Sequence, residues 1–456
     1  MTLLTQTEID QKIQDAININ KKRLNLSQAE IVGEIKLVLS GKWAINMSNS
    51  VVKGRCQVWI VDGQSDQDVL NFDASESTFN DELIIKSELK LDLNLTTSRL
   101  NKGIVASNSK IGFLNCNLLQ YRGQLNFFQS EIDVCMFQSA KEIDDNSRIY
   151  FDWSKFHQRC ELQDSSLINP SFILCEFGGV VNMTKTKFKN ASNAEVFVYC
   201  KFKDKLYLRP ESVVGPMTFI GAVFNDDVFV THITSDQNEA NHSFDFSECI
   251  FEKQLRIYKI SFLELNLENA IINGFVKLQD VYVKRVSFKG VIFTRTEFEN
   301  FTYDPDDVNL QTLLILVREY SKSGNSFEAT KQTAKLLSVY EESLNWKESS
   351  EDKLALRLNK LSNRFGASWI QGVAFTFFFS FVLYFLYVLS LKCYDFSCGT
   401  YFKNYFEFFV LTHRLDFMEN NGPSGLSYFI DSLTRVVVGY GIVQTVQAFR
   451  KHSKTS

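Results

Sequence analysis

Between about residues 75 and 300 the chain alternates apolar and polar positions in runs too short for helices, and a small unit recurs. The unit is a small residue, any residue, then Phe, Leu or Ile. It occurs at Ser77/Phe79, Ser98/Leu100, Cys116/Leu118, Ser130/Ile132 and Ser154/Phe156, then at Cys175/Phe177, Cys200/Phe202, Ala222/Phe224, Cys249/Phe251, Ala270/Ile272 and Val291/Phe293. Successive large residues stand 21, 18, 14, 24, 21, 25, 22, 27, 21 and 21 positions apart. A period near one coil, with insertions, predicts a β-solenoid whose inward residues stack into columns. The strands of a β-sandwich would alternate in the same way but would show no such recurrence. Short β-prone runs at 196–199 and 275–278 fill the intervals, and 28–74, with Trp43 and the run 58–61, is expected to form irregular first coils or a cap. The predicted class is therefore mainly β: a right-handed β-solenoid over 28–300, a helical connector, and a C-terminal helical membrane domain with two transmembrane helices.

The ends of this pattern are helical. Residues 1–27 carry a helix, with Thr7 as a candidate N-cap before Glu8 and Ile9. No apolar stretch follows a basic start there, so no secretory signal is expected. The repeat stops at Phe298, and Pro305 stands as a first helical residue before 308–322, where Leu310, Leu313, Leu314 and Val317 recur at helical spacing. Gly324 to Ser326 supplies a stop and a new cap for a helix over 327–347. Ser350 caps a third helix through Arg364, whose Leu354, Leu358 and Leu361 share a face. These helices, over 305–364, are too polar to span a membrane and read as a coupling or oligomerisation module.

The last part, 365–456, reads as membrane domain. Residues 369–391 are 23 positions without a charged side chain, long enough to cross a bilayer, with Trp369 as interfacial anchor. A second candidate span, 426–449, contains Asp431 and Arg435, four apart and so able to pair on one helix face. Lys353, Arg357, Lys360 and Arg364 precede the first span, and Arg450, Lys451 and Lys454 follow the second. Basic flanks predict both termini and the solenoid on the cytoplasmic side of an inner membrane. Cys393 and Cys398 would then face an oxidising compartment, where they either form a disulfide or stay unpaired. The aromatic segment 401–412 is too short to span and reads as a re-entrant or interfacial helix. Val438 to Gly441 spells the centre of a potassium-selectivity filter. It lies inside a hydrophobic span with 15 residues remaining, so Gly439 and Gly441 read instead as sites of close helix contact. Gln444 and Gln447 lie opposite the Asp431–Arg435 pair at helical pitch, and all four are candidate pore or interhelical contacts.

Composition narrows the function. The 41 phenylalanines against 5 prolines call for a repetitive apolar interior, and a net charge of −4 argues against a nucleic-acid partner. Seven cysteines from Cys56 to Cys249 lack metal-ligand spacing, and those of the repeat are expected to pack as compact apolar groups. His157, His232, His242, His413 and His452 are scattered, although His232 and His242 could be neighbours on one coil. No phosphate-binding loop, serine-nucleophile elbow or zinc-protease motif is present. The expectation is a protein that is not an enzyme and uses no cofactor.

The units around Cys175, Cys200, Ala222 and Cys249 resemble those of pentapeptide-repeat proteins, whose β-helices place a small residue and a Leu or Phe at alternating inward sites. The segments 358–369 and 439–454 resemble the ends of a membrane module that follows such repeats in some bacterial proteins, some of them ion-channel-like. Charged and polar residues, a re-entrant candidate and close glycines exceed what tethering requires. The leading expectation is therefore a membrane pore gated through the solenoid, homo-oligomeric because two spans cannot enclose a channel, with the bilayer and an unknown cytoplasmic protein or signal as partners. A role in bacterial stress or phage defence is compatible with that reading. A membrane-tethered interaction scaffold without conduction is the alternative. DNA mimicry, known among pentapeptide-repeat proteins, fits poorly with membrane attachment.

Overall fold

The structure is a computed structural model that describes residues 1–61, 68–142, 144, 147–192, 194–231, 242–391, 398–412 and 424–453. The chain divides into two compact units, Met1–Val308 and Asn309–Ser456.

The first unit is a parallel β-solenoid of about 12 turns. One face stacks Ile31, Val52, Phe79, Leu100 and Tyr121 in register, and another stacks Leu91, Ile111, Ile132, Phe156, Phe177, Phe202, Phe224, Phe251, Ile272 and Phe293. The 18- and 14-residue intervals in the sequence have their origin here. Phe79 and Leu100 belong to the first face, and Ile132 and its successors to the second. Leu118, counted between them, is an exposed corner residue, and Tyr121 takes the inward place.

Two corners of a coil are built from the same four-residue turn, as at 95–98 and 106–109. Its first and fourth residues are buried, and its third has a left-handed backbone: φ is 58° at Thr97, 55° at Asn108, 57° at Leu174 and 54° at Tyr199. Glycine would adopt this φ at the least steric cost, yet most of these positions hold other residues. Ladder hydrogen bonds offset the strain, since the third residue donates to the next coil, Leu174 N to Val198 O at 2.9 Å for example. Residues 196–199, β-prone by composition, form such a corner and not a strand.

The fourth, small residue is more than a space-saver. Ser50 Oγ donates to Leu26 O at 2.6 Å, Ser130 Oγ to Ala106 O at 3.1 Å, Ser154 Oγ to Phe127 O at 2.8 Å and Thr186 Oγ1 to Leu162 O at 2.6 Å. Each acceptor is the first turn residue of the preceding coil. The same oxygens accept in turn, Ser154 Oγ from Ser130 N at 3.0 Å. Cys175, Cys200 and Cys249 aim their thiols at Phe151, Phe172 and Phe219 carbonyls in the same way. These sulfurs are therefore intercoil donors and not apolar filler. Cys116 is buried three positions earlier, at a first turn position, and does not share their place.

All seven solenoid cysteines are buried and free. Burial pushes the Cys56 thiol up to about 12 and raises those of Cys116, Cys175 and Cys249, while Cys160 is raised first by its hydrogen bond with Cys135 and then by burial. Because the thiolate is the nucleophile, N-ethylmaleimide at about pH 8 is expected to leave these five unmodified in the folded protein and to label them on unfolding. Peptide mass mapping reads this directly, and rapid native labelling of Cys116 or Cys175 would contradict the packing.

The N-terminal end of the solenoid is closed by helix α1, Gln6–Asn18, whose cap is Thr5 and not Thr7. Glu8 Oε2 accepts from Thr5 N at 2.7 Å and Thr5 Oγ1 at 2.9 Å, and the backbone hydrogen bond chiefly holds its carboxyl below the usual range. Ile9, Ile13 and Ala16 are buried, and the Gln6 amide pairs with both N and O of Lys36 on an outermost strand. An open sheet edge is thereby covered. Residues 29–61 already form regular coils, so the cap is this helix and not an irregular 28–74 segment.

The second unit is helical. Pro305 opens a 3₁₀ turn, Pro305–Asp307, at the end of the first unit, and helix α2, Leu310–Lys322, is capped instead by Asn309, whose Oδ1 accepts from Thr312 N at 2.8 Å. Helix α3 is Ser326–Ser343, capped by Asn325, and α4 is Ser350–Asn363. Then come α5, Trp369–Ser390, α6, Cys398–Phe409, and α7, Gly425–Ser453. Two of them, α5 and α7, are long and apolar enough to cross a membrane.

Candidate functional site

The site is the polar interior of the hairpin formed by α5 and α7. Gly372 and Thr376 stand four apart on α5, and Gly441 and Thr445 four apart on α7, so each pair lies on one helix face. The pairs interlock. A Cβ on Gly372 would stand 2.7 Å from Thr445 Oγ1, and one on Gly441 2.1 Å from Thr376 Oγ1. Each threonine donates to the carbonyl four residues back, which is its own glycine: Thr376 Oγ1 to Gly372 O and Thr445 Oγ1 to Gly441 O, both at 2.8 Å. The hydroxyls are thus satisfied inside their helices, and the missing side chains let the backbones approach. Of the two glycines singled out in the sequence, Gly441 makes this contact and Gly439 has open space at its Cβ position. Val438 to Gly441 is ordinary helix.

Towards the start of α5, a buried amide ties α4 to α7. Asn363 ends α4 and is 1% exposed. Its Oδ1 accepts from Gly366 N at 2.8 Å, and its Nδ2 donates to Gln444 Oε1 at 2.6 Å and Gln444 O at 3.1 Å. The turn it organises holds Arg364, Phe365 and Gly366 all at positive φ, 50°, 58° and 84°. Three consecutive left-handed residues, two of them not glycine, persist only where surrounding contacts impose them. Gln371 Nε2 closes the turn by donating to Leu361 O at 2.8 Å and Lys360 O at 3.2 Å, and Ser362 Oγ lies 3.4 Å from Tyr440 OH.

At the other end, Arg435 Nε donates to Asp431 Oδ2 at 3.0 Å, with Asp431 2% exposed. Ser390 Oγ and Ser427 Oγ meet nearby in sequence at 2.9 Å. Helix α6 lies against the middle of α5: Tyr405 OH is 2.9 Å from Ser380 Oγ and donates to Phe377 O at 3.2 Å, and the Phe377 and Phe409 rings stack at 5.1 Å. Thus Asp431 and Arg435 pair as their spacing predicts, Gln444 contacts the connector, and Gln447 is exposed. Cys393 and His232 lie outside the described residues, as does His413, and the side chains of Cys398, His242 and His452 are not among those described.

Sequence reasoning overlooked Asn363, Gly372, Thr376 and Thr445. Two signals could have found them: the paired small-residue spacings in the two apolar segments, and an Asn three residues before a Gly at a helix end. Among the described residues no cluster of three or more His, Cys, Asp or Glu could hold a metal ion. Comparison of the chain with protein-family models, with curated proteins and with solved structures returns no match.

Proposed function

We propose that this protein is a homo-oligomeric membrane pore or channel-like effector, controlled through a solenoid that binds a cytoplasmic signal or partner. The observation that carries the reading is the Asn363–Gln444 bond. A tether needs no lock between its last polar helix and its second span, whereas transmission of a signal does. Two spans cannot enclose a pore, so several copies must assemble. The outward faces of α5 and α7 supply apolar surface for lipid and neighbours, with Phe378, Phe381, Val436 and Val443 all exposed. The Asp431–Arg435 pair, its carboxylate buried and its guanidinium partly exposed, adds a cost in an apolar helix that anchoring does not require. Helix α6, packed on the middle of α5, acts as the re-entrant element. The basic residues before α5 favour a cytoplasmic solenoid at an inner membrane.

The solenoid geometry supports kinship with pentapeptide-repeat proteins, because its paired columns place Phe151 and Phe156, Phe172 and Phe177, and Phe197 and Phe202 five residues apart. A partner surface is also available. Trp153, Leu174 and Tyr199 occupy the same corner in successive coils and are 56%, 41% and 55% exposed, at a backbone conformation that bulky residues seldom adopt.

Planar-bilayer recording of the purified chain tests the reading. Unitary conductance is expected from an oligomer, and Asn363→Ala is expected to shift its open probability by severing the connector from α7. A chain that is monomeric in detergent and silent in the bilayer would instead be a tethered scaffold.

A further inference from the structure

Beyond conduction, helices α3, α4 and α5 enclose an open cleft of about 630 Å³, lined by Arg357, Lys360 and Arg364 with Leu361, Phe365 and Gln371. Three cationic side chains thus converge beside apolar ones where the charged chain ends and the uncharged α5 begins. From α3, Glu341 engages Arg357 at 3.0 Å and Lys360 at 3.3 Å, and Glu342 engages Lys360 at 3.4 Å. Among the described residues no acidic group pairs with Arg364, whose side chain is exposed. The C-terminal carbonyls of α4 would repel an anion, but Gln371 covers two of them. On the same helix Leu354, Leu358 and Leu361 are exposed, an apolar stripe flanked by these cations.

We infer that this cleft binds the phosphate headgroup of an anionic phospholipid, with Arg364 as its principal contact and the leucines of α4 against the acyl region. An amphipathic helix with cationic flanks, set directly before a span, has the chemistry of a lipid surface and not of a soluble partner. The inference rests on α5 spanning a bilayer. Its consequence is that the lipid would brace the turn at Arg364 to Gly366, to which Asn363 and Gln444 are already tied.

The test uses the full-length chain in neutral detergent, with native mass spectrometry counting bound lipid during titration with phosphatidylglycerol, phosphatidylcholine or inorganic phosphate. Preferential retention of phosphatidylglycerol is expected. Arg364→Gln should weaken it about fivefold, as removal of one cation near a lipid surface implies, and Arg364→Lys should restore most of it. Equal retention of both lipids, or an unaltered Arg364→Gln titration, overturns the assignment, and so does equal competition by inorganic phosphate, which would make this a site for the free ion. Retention of the chain by phosphatidylcholine vesicles after an alkaline wash is scored separately. Failure there removes the span, whereas failure of lipid preference alone removes the cleft.

Discussion

Replacing Phe177 with alanine is expected to destabilise the solenoid by about 3–5 kcal/mol, the range for deleting a large buried aromatic side chain. The Phe177 ring stacks on Phe156 at 4.7 Å and on Phe202 at 4.8 Å, and makes tilted contacts with Phe172 and Phe197 at 6.0 and 6.3 Å. It sits in one of two adjacent columns, Phe156, Phe177, Phe202, Phe224 and Phe251, beside Phe127, Phe151, Phe172, Phe197, Phe219 and Phe246. Neighbouring strands lie about 4.8 Å apart, which is also a comfortable distance between offset-stacked rings. A planar side chain repeated once per coil therefore packs without strain, and this accounts for the phenylalanine excess. Each coil contacts chiefly the coils next to it, so the lesion should divide the array into two less cooperative parts. Hydrogen exchange should show lost protection centred on 151–202, together with a lowered thermal midpoint. A uniform small shift, with protection intact around Phe156 and Phe202, would mean that the columns contribute little. Phe177→Leu should lose much less.

The second large effect is expected at the helix clasp. Gly441→Val places a branched side chain where even a Cβ would stand 2.1 Å from Thr376 Oγ1. Thr376 cannot simply turn away, because its hydroxyl is held by Gly372 O and it is 4% exposed. The helices must separate, at a cost of about 1–3 kcal/mol for overpacking, with the reciprocal Gly372–Thr445 contact also loosened. Gly439→Val is the control, since its Cβ position is open. In detergent, thermal unfolding of the helical unit should fall for the first variant and hold for the second. Equal behaviour of the two would show that the hairpin is not held at this contact.

The candidate site was only partly legible. The Asp431–Arg435 pair could be read because both partners lie on one helix, where four residues fix the geometry. Asn363 and Gln444 are 81 positions apart, and no local rule brings them together. The role of Gln444 thus passed from a general polar contact to the acceptor for one buried amide. Cys175, Cys200 and Cys249 were legible as inward residues, but the carbonyl each thiol meets belongs to the coil before and depends on the stacking distance.

What the sequence by itself determined is the solenoid and the two apolar helices. Stacked coils need the same residue type at the same inward place in every turn, and a helix long and apolar enough to cross a membrane needs about 20 predominantly apolar residues in a row. Both demands are written as one-dimensional regularities. Which face each repeat occupies was decided by the tertiary structure, because the faces share one small-then-large pattern and differ only in where the corners fall; Leu118 and Tyr121 change places on that ground alone. The clasp was likewise a tertiary outcome. Small residues four apart permit close approach on any helix, but only the antiparallel pairing of α5 and α7 sets Gly372 against Thr445 and Gly441 against Thr376 while leaving Gly439 free of contact.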